Sequence, residues 1–257
     1  MSKKKNKPSK RLLKKQKELG NPAVIFSFDG TIMDTEPAIF ASYRNIFDLF
    51  DKKRRFTEEM QEMVMGQPAE KMMREFFPKG DQDEIMKEYR LYQSYHLADL
   101  IQPMHGIEDF LRWLKDNHYP TAIISSRQRS SIVSMLEHSG LLRYIDVIIA
   151  SSSRNHELSG DDSLRKAAKL LHSKCCIYIG HTASHIITGH TVGAFTIAYD
   201  PTPQRIYDII EAGPDFVTAD FRQIRKLLEG TPFWVAYEIL EPQTETNSAS
   251  AVQPETK

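Results

Sequence analysis

Ala23-Val24-Ile25-Phe26-Ser27-Phe28-Asp29-Gly30-Thr31-Ile32-Met33-Asp34-Thr35-Glu36-Pro37 is the stretch whose reading decides the fold. Ala23 to Ser27 are apolar or small and β-favouring, the composition of a strand buried on both faces. Asp29-Gly30-Thr31 breaks that strand, because Gly30 permits a backbone other residues resist and the two polar side chains can bond nearby main-chain groups. A helix follows, with Thr35 able to cap it and Pro37 suited to its first turn. A strand that ends in an acidic loop and feeds a helix is where an open α/β sheet places its ligand.

Outward from this stretch the pattern changes twice. From Pro37 to about Pro103 only helices are legible: Ile39, Phe40, Tyr43, Ile46, Phe47 and Phe50 recur at helical spacing, and Met60 to Phe77 and Ile85 to Tyr95 follow. After Thr121 apolar strands alternate with helices, which predicts a parallel sheet. Strands are expected near 23–27, 121–125, 145–150, 175–179 and 194–198, with Phe216-Val217 as a short edge strand. The expected class is α/β, a Rossmann-like parallel sheet core with a helical domain inserted after the first strand. Residues 21–36 and 103–240 form that core and 37–102 the insert. Phe233, Trp234, Val235 and Tyr237 form an apolar segment that packs on the core or on a partner.

Ser27-Phe28-Asp29-Gly30-Thr31 resembles the first motif of the haloacid dehalogenase superfamily of phosphohydrolases, in which the strand ends Asp-x-Asp-Gly-Thr. The all-helical insert resembles the cap domain of that superfamily's phosphoglycolate phosphatase and β-phosphoglucomutase branch. The resemblance implies a phosphatase scaffold, with the first aspartate as nucleophile and Mg²⁺ ligand and the second as acid/base. Here Ser27 holds the nucleophile position and Asp29 the acid/base position. Ser125 falls at the second motif, where the family bonds a phosphoryl oxygen, though a strand-end serine also commonly caps the next helix. Gly30, Thr31 and Ser126 complete the implied phosphate-binding set.

Two motifs depart from the family. The third places a lysine ahead of a helix, whereas Glu157 or Leu158 stands in register here, with Arg154 and Lys166 the nearest bases. A glutamate there adds negative charge beside a dianion, which opposes binding. In the fourth motif His181 and His185 replace the two metal-binding acids. Mg²⁺ is a hard cation that takes oxygen ligands, and imidazole replaces them poorly. As a pair at i, i+4 on one helix face, with Asp29 opposite, the histidines could instead hold Zn²⁺, Fe²⁺ or Mn²⁺ and activate water; His190 is a weaker third candidate.

Lys+Arg and Asp+Glu both total 34, but the balance is uneven along the chain. Residues 1–20 carry nine bases against Glu18 alone, leaving the rest at −8 (25 bases, 33 acids). A basic arm on an acidic body is read either as a solvated, disordered terminus or as a contact for RNA, the ribosome or anionic lipid. No apolar run approaches the roughly 20 residues of a membrane span, and no signal-peptide pattern follows the basic start. Cys175 and Cys176 are adjacent in an expected strand and point to opposite faces, which suits reduced thiols of a cytoplasmic protein. Residues 241–257 read as a disordered tail.

The expected protein is thus a haloacid dehalogenase-like scaffold whose phosphatase activity is lost or greatly weakened, acting as a binding or regulatory protein. The competing expectation is an active phosphomonoesterase of the phosphoglycolate phosphatase type that uses a non-standard metal site. Either would take a phosphorylated small molecule in a cleft lined by Ser27, Asp29, Ser125 and His181.

Overall fold

The computed structural model describes residues 9–65, 67–151, 160–201, 206–230 and 232–237. In chain order these form α1 (Lys10–Leu19), β1 (Ala23–Ser27), β2 (Met33–Asp34), α2 (Glu36–Phe50), α3 (Glu58–Val64), α4 (Ala69–Phe76), α5 (Gln82–Tyr95) and α6 (Leu97–Leu100). Then come β3 (Gln102–Pro103), α7 (Ile107–Asp116), β4 (Thr121–Gln128), α8 (Arg129–His138), β5 (Val147–Ser151), α9 (Gly160–Leu170), β6 (Cys176–Gly180) and α10 (Ala183–Thr191). The last are β7 (Phe195–Tyr199), α11 (Ile206–Glu211), β8 (Phe216–Thr218), α12 (Phe221–Leu228) and a 3₁₀ turn, Phe233–Ala236.

Six strands pair in parallel in the order β5-β4-β1-β6-β7-β8. β1 lies inside the sheet with every residue buried, as its unbroken apolar run predicts. Its side chains alternate between two cores. Val24 and Phe26 belong to a core shared with Phe110 and Leu111 of α7, Ile132 of α8 and Ile224 of α12. Ala23 and Ile25 meet α9 through Leu164, Ala167 and Ala168. Cys175 and Cys176 divide between the same two layers, and both are free thiols. Burial pushes the Cys176 thiol up to about 12.

The chain leaves the sheet after β1 and returns before α7. β2 and β3, at the two ends of this excursion, pair antiparallel, Met33 opposite Pro103. Between them α2 to α6 enclose a core of their own: Tyr43 stacks on Phe56 at 5.1 Å, Phe47 meets Phe77 at 4.9 Å, and Met72, Met73 and Ile85 fill the rest.

Three local expectations are corrected, and one that was left open is decided. The arm read as disordered over residues 1–20 is helical over Lys10–Leu19; Ser9 Oγ accepts from the Leu12 amide at 3.2 Å. Leu12 and Leu19 of that helix pack on the main core, burial that offsets the ordering cost of a charged segment. Residues 1–8 and the tail 241–257 lie outside the described residues. Thr35 stands at the N-cap of α2 without capping it, because its hydroxyl donates to Asp29 Oδ1 at 2.5 Å. β4 does not stop at Ser125 but runs through an irregularity to Gln128. The Trp234 segment packs on the core: Trp234 is 2% exposed, and its turn touches α1.

Candidate functional site

Ser27 closes β1 at the carboxyl end of the sheet, and the turn Phe28–Met33 folds back through three amides bonded to the Phe28 carbonyl. Gly30 has φ +64, in the left-handed region. A Cβ there would meet the His181 ring at 2.6 to 2.9 Å, so glycine is needed for space as well as for conformation. His181 ends the β6 turn just before Thr182, whose hydroxyl caps α10 by accepting from the His185 amide at 3.3 Å.

This packing fixes the Ser27 surroundings. Ser27 is 2% exposed, shares a 2.7 Å hydrogen bond with the Thr31 hydroxyl, and lies 3.4 Å from His181 Nδ1. A hydroxyl beside an imidazole is the beginning of a nucleophile–base pair, but such pairs work at about 2.6–3.2 Å. Here the hydroxyl's short bond goes to Thr31.

Asp29 is engaged on its other side. Arg127 Nε donates to Asp29 Oδ1 at 2.7 Å, and the Thr35 hydroxyl donates to the same oxygen. Arg127 Nη1 continues to Gln93 Oε1 on α5 at 3.1 Å, and Gln93 Nε2 donates to the Tyr89 hydroxyl at 3.1 Å. The chain Asp29–Arg127–Gln93–Tyr89 therefore runs from the loop at the carboxyl end of β1 into the helical insert. Burial works against the Arg127 charge, and Asp29 and then Tyr89 outweigh it, so the guanidinium stays charged with a pKa above its ordinary value. Burial is likewise the main reason the Tyr89 phenol is pushed up to about 12.

The remaining expected residues divide. Ser125 Oγ accepts from the Arg127 amide at 3.1 Å, a local turn bond of the kind serine often makes. Thr31 is fully buried against Ser27, while Ser126 is exposed. Arg154, Glu157 and Leu158 lie outside the described residues, and Lys166 is exposed on α9. His181 precedes the cap of α10 and so does not share a helix face with His185, although the two rings lie 5.2 Å apart. His185 Nδ1 is buried with no hydrogen-bond partner among the described residues. Burial, then repulsion from His181, lowers its pKa to about 3, so His185 is neutral. His190 is turned away to Thr196 Oγ1 at 2.9 Å and Asp215 at 3.5 Å.

A cavity of about 280 Å³ opens beside this cluster, lined by Gly30, Asp34, Glu36, Phe40, His181 and Asp200 among others. Of the four side chains expected to line a cleft, only His181 does so. The described lining contains three carboxylates and neither lysine nor arginine.

These donors do not fit Mg²⁺. Among the described residues no three His, Cys, Asp or Glu side chains are gathered for a metal. Asp29 gives its Oδ1 to a guanidinium, and the two positions beyond it are imidazoles.

The family model for haloacid dehalogenase-like hydrolases matches residues 24–199. The chain belongs to that family. Among its curated relatives, a pyrophosphatase PpaX of Listeria monocytogenes is 25% identical over 196 residues, 76% of this chain and 90% of that protein. The PpaX of Halalkalibacterium halodurans is 24% identical, covering 67% of this chain and 80% of its own. Among solved structures, a predicted phosphoglycolate phosphatase of Haemophilus somnus superposes with a TM-score of 0.70 at 14% identity. That superposition covers 80% of this chain and 97% of the other. The structural likeness is one of fold, and the haloacid dehalogenase frame is held from β1 through β7.

Sequence reasoning missed Arg127, Gln93 and the site role of Thr35. Arg127 was visible only as a base ending an apolar strand. Gln93 was visible as a polar residue four positions after Tyr89, on a face that is otherwise apolar.

Proposed function

We propose that this chain is a haloacid dehalogenase-fold protein that does not carry out phosphoryl transfer by the family's covalent route and acts as a binding or regulatory protein. The observation that carries this reading is the 2.7 Å ion pair between Asp29 and Arg127, which occupies the acid/base carboxylate with an internal cation anchored to the insert. A general acid or base must reach the reacting atom, and Asp29 Oδ1 already accepts from Arg127 and Thr35 while the side chain does not line the cavity.

Three further features point the same way. Ser27 could form only an alkyl phosphate, which lacks the lability of an aspartyl phosphate. The His181 and His185 positions offer nitrogen where Mg²⁺ takes oxygen. The cavity presents Asp34, Glu36 and Asp200 to any incoming dianion, and like charges at close range repel by about 1 kcal/mol even in water. The relatives named pyrophosphatases act on a substrate that the described lining of this cavity is poorly charged to accept.

Groups that act as a unit fail together, so restoring one of them does not restore the rate. Ser27→Asp, assayed with Mg²⁺ on pyrophosphate and on an aryl phosphate, is expected to remain without turnover. Mg²⁺-dependent turnover from that single change would overturn the proposal.

A further inference from the structure

α1 lies at the end of β1 opposite Ser27, joined to it by Gly20-Asn21-Pro22, where Asn21 Nδ2 donates to the Asn117 carbonyl at 2.9 Å. Its Ser9 cap, its docked Leu12 and Leu19, and the Gly20 amide bonded to the Gln16 carbonyl make it a fixed element of the fold. At about 100° per residue, Lys10, Lys14 and Lys17 fall in one line on the side away from Leu12 and Leu19, with Arg11 flanking them. All four are exposed, and the line covers about 10 Å at 1.5 Å per residue. The helix carries one acid, Glu18, whose 3.9 Å contact with Lys14 is solvent-exposed on both sides and so weak.

We propose that this face of α1 docks the phosphodiester backbone of a nucleic acid, without reading its sequence. Charge complementarity carries the first part: a row of cations stands on a chain whose residues 21–257 sum to −8, so an incoming polyanion is attracted here and repelled by that body. The spent apolar face carries the choice of partner. A surface helix that binds lipid inserts an apolar face into the headgroup boundary, whereas Leu12 and Leu19 of α1 are packed on the protein core and the exposed Leu13 is a single side chain, too small for such a face. The phosphate row requires no such face. The surface is remote from Asp29 and Arg127 and stands or falls independently of the proposed function.

The test uses the full chain and a variant with Lys10→Gln, Arg11→Gln, Lys14→Gln and Lys17→Gln, since glutamine keeps helix propensity while removing charge. Binding to a 20-nucleotide single-stranded RNA and to a duplex of equal length is measured by fluorescence anisotropy from 50 to 200 mM salt. Four phosphate contacts released as counterions steepen log K against log salt by about 2.8 on a single strand, an affinity ratio that narrows about 50-fold across that range. Wild type should show that steeper slope and the variant should lose it. Equal slopes for the two proteins would overturn the proposal. So would salt-labile binding to phosphatidylserine vesicles in place of RNA.

Discussion

Replacing Arg127 with methionine keeps most of its volume in the gap between β4 and α5 and removes the guanidinium from Asp29 and Gln93. Arg127 is 13% exposed at its side chain and Asp29 is 25% exposed, so the pair is largely shielded from solvent. The charge-assisted bond to Asp29 is worth about 1.5–3 kcal/mol, and leaving the Gln93 acceptor without its donor costs about 1 kcal/mol more. Breaking a fully buried pair costs about 3–5 kcal/mol, and the residual exposure of Asp29 places this pair at the lower end. The expected loss is about 3 kcal/mol, a fall in Tm of about 6–9 °C for a chain of this size. Asp29→Asn/Arg127→Met, which removes both charges, should lose less than the sum of the single changes by about 1–3 kcal/mol. Calorimetry gives the midpoints, and hydrogen exchange adds a local signature: α5 amides should open faster in the Arg127 variant. A Tm within 1 °C of wild type would refute the reasoning that Arg127 ties the insert to the core, and strict additivity of the two changes would refute the energy assigned to its pair with Asp29.

Two other perturbations follow from the same cluster. His185 titrates near 3 when folded and about 6.5 when unfolded, so below pH 6.5 the unfolded chain takes a proton that the folded chain refuses. Its contribution to stability is complete above pH 6.5 and declines as pH falls toward 3, by about 2 kcal/mol at pH 5; urea midpoints at pH 7 and 5 should show that decline, reduced in His185→Asn, and equal declines would contradict it. Gly30→Ala must hold φ +64 and displace the His181 ring, costing about 2–4 kcal/mol in all, and Gly30→Ala/His181→Ala should recover only the steric share. Full recovery in the double variant would show that the backbone conformation carries no cost.

What the sequence disclosed followed from periodicity. The run from Ala23 to Ser27 is apolar because both faces of β1 are covered, and the helical stripe from Ile39 to Phe47 closes a separate core. Gly30 was legible as a turn residue, but the imidazole above it comes from a strand end about 150 positions later, a contact no local pattern encodes. The same applies to the Arg127 bridge, whose partners Asp29 and Gln93 are 98 and 34 positions away. Thr35 carried a sound local capping signal that lost to a stronger charge-assisted bond to Asp29. α1 looked like a solvated charge run because its apolar stripe is only Leu12 and Leu19, and the segment that covers it, around Trp234, closes the described chain.

The central claim, that this chain acts as a binding or regulatory protein with the family's covalent phosphoryl-transfer route closed, is tested most directly on the unaltered protein. Hydrolysis of an aryl phosphate and of pyrophosphate is measured with Mg²⁺, Mn²⁺ or Zn²⁺, alongside metal content of the purified chain. The account predicts no turnover above a protein-free control with any of the three. Turnover that disappears in His181→Ala and His185→Ala, with metal bound in proportion, would contradict it and identify an enzyme working through those two imidazoles.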